Sequence, residues 1–228
     1  SNWDTSLITD MSHLFYGMKE FNDDISNWNV SNVINLSYTF SGCDTFDQSI
    51  NNWDISNVKY MNSMFEKAIK FNQPLDKWNT TNVIDMSSLF SNCTKFNQEL
   101  KNFNTKSVEN MFFMFFCAQN FNQSINNWNV SNVRHMTNMF DGALNFNQPL
   151  NNWDISNLTN TENMFGDSDF NQDLNNWDVQ NVVNMNYMFC RSKFNKDISN
   201  WNTQNVKYHE KIFFSSKIND EFKPIFKI

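Results

Sequence analysis

Apolar residues return along this chain in one fixed order, and the order repeats every 25 positions. Trp stands at 3, 28, 53, 78, 128, 153, 177 and 201, and Phe103 fills the one vacant place. The step shortens to 24 in the last two units, where Asp167-Ser168-Asp169-Phe170 is one residue shorter than Gly142-Ala143-Leu144-Asn145-Phe146. In the unit that starts at Phe46, Trp53 and Ile55 flank polar Asp54, an alternation that predicts a short strand with one buried face. Val58, Met61, Met64, Phe65 and Ala68 follow at steps of three and four, which predicts one face of a short helix. Ser56 or Asn57 stands where that helix needs an N-cap. Phe71-Asn72-Gln73 then turns the chain toward the next strand, with Phe71 and Leu75 inward.

One such unit has an apolar side and nothing of its own to cover it. Units stacked in register cover one another, Trp on Trp and Phe on Phe. Strands pair about 4.8 Å apart, whereas helices pack roughly 8–10 Å apart, and this mismatch predicts an arc with strands inside and helices outside. The expected fold is therefore an α/β repeat solenoid, a curved stack of eight to nine strand-helix coils over residues 1–214. Residues 215–228 leave the pattern, with alternating Lys and apolar residues and Pro224, and read as a C-terminal cap. The first unit opens at its Trp, so its strand edge is expected to be bare.

The spacing Ile50-x-x-Trp53-x-Ile55-x-x-Val58 resembles the leucine-rich-repeat pattern, with Val in place of the usual Asn. Its continuation, Val58-x-x-Met61-x-x-Met64-Phe65-x-x-Ala68, is similar to BspA-like leucine-rich repeats. The phrase from Phe146 to Asn157 resembles the 25-residue variant of many mycoplasma surface lipoproteins. The resemblance runs from Trp3 to about Phe213. It implies a surface-exposed, often lipid-anchored protein used in adhesion or host interaction, and it implies no catalytic residues. No secretory signal stands at Ser1-Asn2-Trp3, which leaves any signal or lipid anchor outside these residues.

Composition narrows the partners. The net charge is −7 and the pI about 4.9, a balance that argues against nucleic acid or an anionic membrane surface. No run of 18 apolar residues is present, so direct membrane insertion is not expected. With 4 Gly and 3 Pro against 24 Phe, the corners must be turned by another residue, and Asn is the next best.

The reactive residue types read as packing. Cys43 and Cys93 share a slot two coils apart, beyond disulfide reach, and all 4 Cys are expected as free fillers. Met-x-x-Met pairs such as Met61/Met64 have the thioethers for copper(I). Their slots elsewhere hold Leu14, Leu36, Leu89 and Thr161, so they read as core and no cofactor or metal is expected. His13, His135 and His209 fall in three different slots. Asn-x-Ser/Thr triplets follow from the repeat's own composition and carry no glycosylation signal.

What remains is a column. The outward slot after each Trp holds Asp4, Asn29, Asp54, Asn79, Asn104, Asn129, Asp154, Asp178 and Asn202. On strands it would line the concave face, and Asp54, Asn79, Asn104, Asn129, Asp154 and Asp178 are the expected ligand-binding residues. A second column, before each Trp, holds Asn27, Asn52, Asn102, Asn127, Asn152, Asn176 and Asn200, where bonds to stacked backbone are the competing role. The function this supports is not enzymatic: a surface interaction or adhesion module for a protein or glycan ligand. The alternative is a structural spacer, coat or lattice element that contacts its own kind.

Overall fold

The computed structural model describes residues 3–226; Lys227 and Ile228, at the end of the expected cap, lie outside the described residues. Each 25-residue unit is a coil of consecutive turns. Backbone bonds close from a fourth residue to a first: Trp53 N–H to the Ile50 carbonyl at 3.0 Å, Val58 to Ile55 at 2.9 Å, Met64 to Met61 at 3.2 Å, Ala68 to Phe65 at 2.8 Å and Phe71 to Ala68 at 3.1 Å. The residues at the first and fourth places are the apolar ones, and all of them are buried.

The strand expected at Trp53 to Ile55 and the helix expected from Val58 to Ala68 do not form, so the chain is not a strand-helix solenoid. Among the described residues the helical segment is one 3-10 turn, Asp220–Phe222. In place of a sheet there are single parallel bridges, one per coil, from Asp10 to Asn35 and on through Tyr60, Asp85, Asn110, His135, Asn160 and Asn184 to Tyr208. The reason lies in the backbone. An α-helix needs each N–H to reach back four residues. Here the N–H groups of Met61, Ser63, Phe65 and Lys67 instead donate to the carbonyls of Asp85, Ser87, Leu89 and Ser91 in the next coil, at 3.2, 2.8, 3.1 and 2.8 Å. Two slots in this stretch are also left-handed. One holds Tyr38, Ser63, Ser88, Phe113 and Asn138, with φ between 53° and 59°. The other, four residues on, holds Gly42, Lys67, Asn92, Cys117 and Gly142, with φ between 53° and 73°. A right-handed helix has no place for either.

With no helices on one side, the difference in spacing expected to bend the stack into an arc is gone. The column after Trp consequently has no inner strand face to line.

Aromatic rings form continuous pillars through the core. Phe65 lies 5.7 Å from Phe90, Phe71 lies 5.9 Å from Phe96, and within one coil Phe65 and Phe71 stack at 4.1 Å. The Trp slot has a polar reason as well as an apolar one. From Trp53 onward the indole N–H donates to a carbonyl in the preceding coil, as Trp53 to Ile25, Trp78 to Ile50 and Trp128 to Leu100, at 3.1–3.2 Å. Phe103 has no such donor, and the Leu75 carbonyl lacks that bond. Phe103→Trp is expected to add it and raise stability by about 0.5–1.5 kcal/mol, read as a higher urea midpoint. A lower midpoint would show that the coil has closed around the smaller ring.

The repeat register runs past the last full coil. Ile218 is buried in the Phe71 slot, Asn219 N–H meets the Asn195 side chain at 2.9 Å, and Ile198 N–H meets the Phe222 carbonyl at 3.0 Å. Beyond Phe222 the tail crosses the last coil, where the Thr203 hydroxyl donates to the Ile225 carbonyl and Phe226 stacks on His209.

Candidate functional site

Two asparagine columns hold the coils together. The Asn after each second Phe accepts, through its side-chain oxygen, the backbone N–H of its counterpart in the next coil. Asn72 receives Asn97, Asn97 receives Asn122, and Asn122 receives Asn147, at 2.9–3.0 Å. The Asn of the Ser-Asn-Val triplet donates backward: Asn57 to the Ser31 carbonyl, Asn82 to Ser56 and Asn157 to Ser131, at 2.7–2.8 Å. These ladders satisfy backbone groups that neither a helix nor a sheet would satisfy here. The first of them was not singled out from the sequence, although Phe-Asn-Gln at a fixed phase is its mark.

The column after each Trp is exposed at every expected binding position: Asp54, Asn79, Asn104, Asn129, Asp154 and Asp178. Each side chain also has a local task. Its Oδ1 accepts the N–H two residues on, Asp54 from Ser56, Asn79 from Thr81, Asn104 from Lys106, Asn129 from Ser131, Asp154 from Ser156 and Asp178 from Gln180, at 3.0–3.2 Å. This is the Asx turn, and it fixes the side-chain rotamer. The Ser156 hydroxyl and N–H together hold the Asp154 carboxyl below the ordinary carboxylate range. The second polar atom is left over. In Asp54, Asn79, Asn129 and Asp154 it makes no hydrogen bond to a described residue, whereas in Asn104 it reaches the Thr81 hydroxyl and in Asp178 it meets Gln180.

Asn129 and Asp154 come together in one groove of about 340 Å³, with Asn126, Asn127, Trp128 and Asn152. The column before Trp is partly spent on stacking: Asn102 donates to the Asp76 carbonyl, Asn127 to Lys101 and Asn200 to Asn175. A larger groove, about 500 Å³, lies elsewhere, between Glu109, Asn110, Asn132, Arg134 and His135. The sequence carries no sign of it, since His13, His135 and His209 fall in three different slots. Its charges belong to two coils, and the slot of Glu109 and Arg134 holds Ile34, Lys59, Ile84 and Thr159 elsewhere. The column after Trp, by contrast, recurs in every coil.

The other reactive side chains are packing. Cys43 and Cys93 are buried and their thiols donate to the carbonyls of Phe15 and Phe65. Burial raises the Cys43 thiol to about 11 and the Cys93 thiol further in the same direction, which leaves neither a nucleophile. The Met61 and Met64 thioethers lie in the core.

A stack of identical short coils, joined by asparagine ladders and filled by aromatic pillars, defines a repeat protein. The family described as "Mycoplasma protein of unknown function, DUF285" matches this chain over residues 1–100, 70–169 and 166–224. The chain belongs to that family. Among curated proteins and among solved structures nothing matches it.

Proposed function

We propose that this chain is a recognition module that binds an extended polar polymer, a polypeptide or a glycan, along the column after Trp. One observation carries the reading: in coil after coil an Asx turn locks an exposed Asn or Asp side chain, and at the adjacent pairs Asp54/Asn79 and Asn129/Asp154 it leaves the second polar atom without a hydrogen bond to a described residue. The entropy of fixing those side chains is spent on folding, so a ligand with matching periodicity need not supply it. The groove at Asn129 and Asp154 is the natural centre of contact. The absence of basic character on this column favours an uncharged or cationic ligand over a polyanion.

The place of action in this proposal is the cell surface. The family's mycoplasmal description supports it, as does the likeness of the repeat phrase to mycoplasma surface lipoproteins and, more distantly, to BspA-like leucine-rich repeats.

Asn129→Asp and Asp154→Asn test the reading cleanly. Each keeps the Oδ1 that the turn needs and exchanges donor for acceptor at the outward atom. With ligands drawn from a glycan array and matrix polypeptides, the double variant is expected to lose at least tenfold in affinity at an unchanged melting temperature. Equal affinity for parent and double variant would remove this face from the function.

A further inference from the structure

Eight single bridges join successive coils, and at seven of these junctions two backbone bonds flank the bridge. Ile84 N–H donates to the Lys59 carbonyl and Met61 N–H to the Asp85 carbonyl, and the corresponding pairs close from Ile34 and Met11 down to Lys207 and Met185, at 2.7–3.2 Å. The junction in the middle of the stack is the exception. Arg134 N–H makes no hydrogen bond to the Glu109 carbonyl and Met111 N–H makes none to the His135 carbonyl, although the coils stay bridged at Asn110 and His135. None of these four backbone groups hydrogen-bonds to any described residue.

Other bonds of the repeat are given up at the same place. The ladder slot that holds Asn57, Asn82, Asn132 and Asn157 holds Ser107 here, which has no amide to reach back to the preceding coil. In the bridge column Asn35, Asp85, Asn160 and Asn184 accept the N–H two residues on, at 2.9–3.0 Å. The Asn110 side chain makes no hydrogen bond to a described residue, and His135 carries an imidazole where those positions carry an accepting oxygen. Glu109 and Arg134 share a slot in adjacent coils, both exposed, and form no ion pair with each other. Asp167/Arg191 and Asp169/Lys193, related in the same way, do pair. Between Glu109 and Arg134 lies the groove of about 500 Å³, where the Asn132 amide is tied to the Lys106 carbonyl at 2.7 Å and its oxygen meets no described donor. The shape belongs to the fold, since the same slots line a second groove at Thr9, Asn32, Ile34, Asn57 and Lys59. The opposed charges belong to Glu109 and Arg134 alone in that slot.

We infer that this open junction is a binding site for a free α-amino acid. A plain anion would meet the Glu109 carboxylate and a plain cation the Arg134 guanidinium, so the ligand carries both signs. Neighbouring coils stand about 4.8 Å apart, and the ligand's two charges must be as close, as an ammonium and a carboxylate on one carbon are. The carboxylate takes the Arg134 guanidinium fork together with the free Arg134 N–H. The ammonium donates to the Glu109 carboxylate and to the free Glu109 carbonyl. Asn110, the Asn132 oxygen and the His135 ring remain for the ligand's side chain, which is therefore polar. The volume lies within the range of small-molecule sites, roughly 300–1,000 Å³. The site is a departure from the repeat and is independent of the column after Trp.

Calorimetric titration of the full chain with the common L-α-amino acids reads the site. Saturable one-site binding of an amino acid with a polar side chain is expected. Its N-acetyl and amide forms, each lacking one charge, should bind at least about tenfold more weakly. Glu109→Gln and Arg134→Gln should each weaken the free amino acid by a similar factor at an unchanged melting temperature, since the slot holds Ile84 and Thr159 in the coils on either side. Asn129→Asp with Asp154→Asn should leave this binding unchanged, which separates the site from the recognition column. Without ligand, the Arg134 amide should exchange its hydrogen faster than the amides of Glu109 and Thr159, which are bonded to Ile84 and Arg134. No binding by any of the amino acids would overturn the inference, and so would equal affinity for the acetylated and amide forms. Inorganic phosphate binding as tightly as the best amino acid would also overturn it, by marking a plain anion site. Equal exchange at the three amides would do the same, by showing that the junction is closed.

Discussion

Phe115→Ala is expected to remove about 3–5 kcal/mol of stability, the largest effect of any single truncation at a ring of this size. The Phe115 ring is fully buried, 5.7 Å from Phe90 and 5.6 Å from Phe140 along one pillar and 4.0 Å from Phe121 across its own coil. Its loss leaves a cavity with packed walls on every side. The neighbouring coils cannot collapse into it, because the asparagine ladders and forward backbone bonds fix their separation. In a stack stabilised by nearest-neighbour interfaces a central defect also weakens the coupling between the two halves. Urea unfolding followed by Trp fluorescence should accordingly shift to a much lower midpoint and broaden or split. Phe213, partly exposed in the last coil, should cost less when truncated in the same way. Equal losses at the two positions would show that the pillar does not act as a continuous unit.

The second large effect depends on pH. Asp141 is 8 % exposed, and burial raises its carboxyl from an ordinary 3.8 to about 6. The Asn138 and Asn163 amides both donate to its Oδ2, at 3.0 and 2.6 Å, and the bond from Asn138 opposes that rise without cancelling it. The nearby Asp167 carboxylate adds to it, and Arg191 works against it. Because the folded chain binds this proton more tightly than the unfolded chain, the group favours folding below its unfolded value and loses that advantage as pH rises through its folded value. The loss falls between pH 4 and pH 7 and amounts to about 2–3 kcal/mol at roughly 1.4 kcal/mol per pH unit of displacement. Asp141→Asn removes the titration and keeps an oxygen for the two amides. It is expected to be more stable than the parent at pH 7 by about 2 kcal/mol and close to it at pH 4. Parallel stability profiles for the two chains would contradict this assignment.

Much of the architecture was written in the sequence, but in a script that two structures share. The 25-residue phase, its shortening at Asp167-Ser168-Asp169-Phe170, and the inward set of Trp53, Ile55, Val58, Met61, Phe65 and Phe71 all correspond to buried positions. Their local conformation was misread. Apolar residues three apart mark a helix face, and they equally mark the two ends of a turn closed by a fourth-to-first bond. A corner signal was present at Gly17, Gly42 and Gly142, which share the slot of Lys67, one residue before the end of the supposed helix. Glycine is favoured at a left-handed corner, and Asn92 in that slot is the next best choice, but glycine also ends helices, so the signal fits both structures. The candidate column was legible for the same reason that its local role was missed. Asp54-Ile55-Ser56 and Asn129-Val130-Ser131 show the exposed position, and they also show an Asx turn, with a side-chain oxygen two residues before a free N–H. The direction of the backbone bonds from Met61, Ser63, Phe65 and Lys67 to the next coil has no counterpart in the sequence pattern, since it belongs to peptide groups whose orientation the side chains do not report.

The forward backbone bonds and the two asparagine ladders join coil to coil, along the direction in which the chain advances. Tension applied between residues 3 and 226 therefore acts on one interface at a time. Each rupture at an end frees a single coil and returns the load to the next intact one. One 25-residue unit, at about 3.3–3.6 Å of extended chain per residue, lengthens the tether by roughly 8 to 9 nm. A stretched molecule yields in a staircase of near-equal steps at modest force, absorbing work gradually where a sheet loaded in shear would hold and then fail at once.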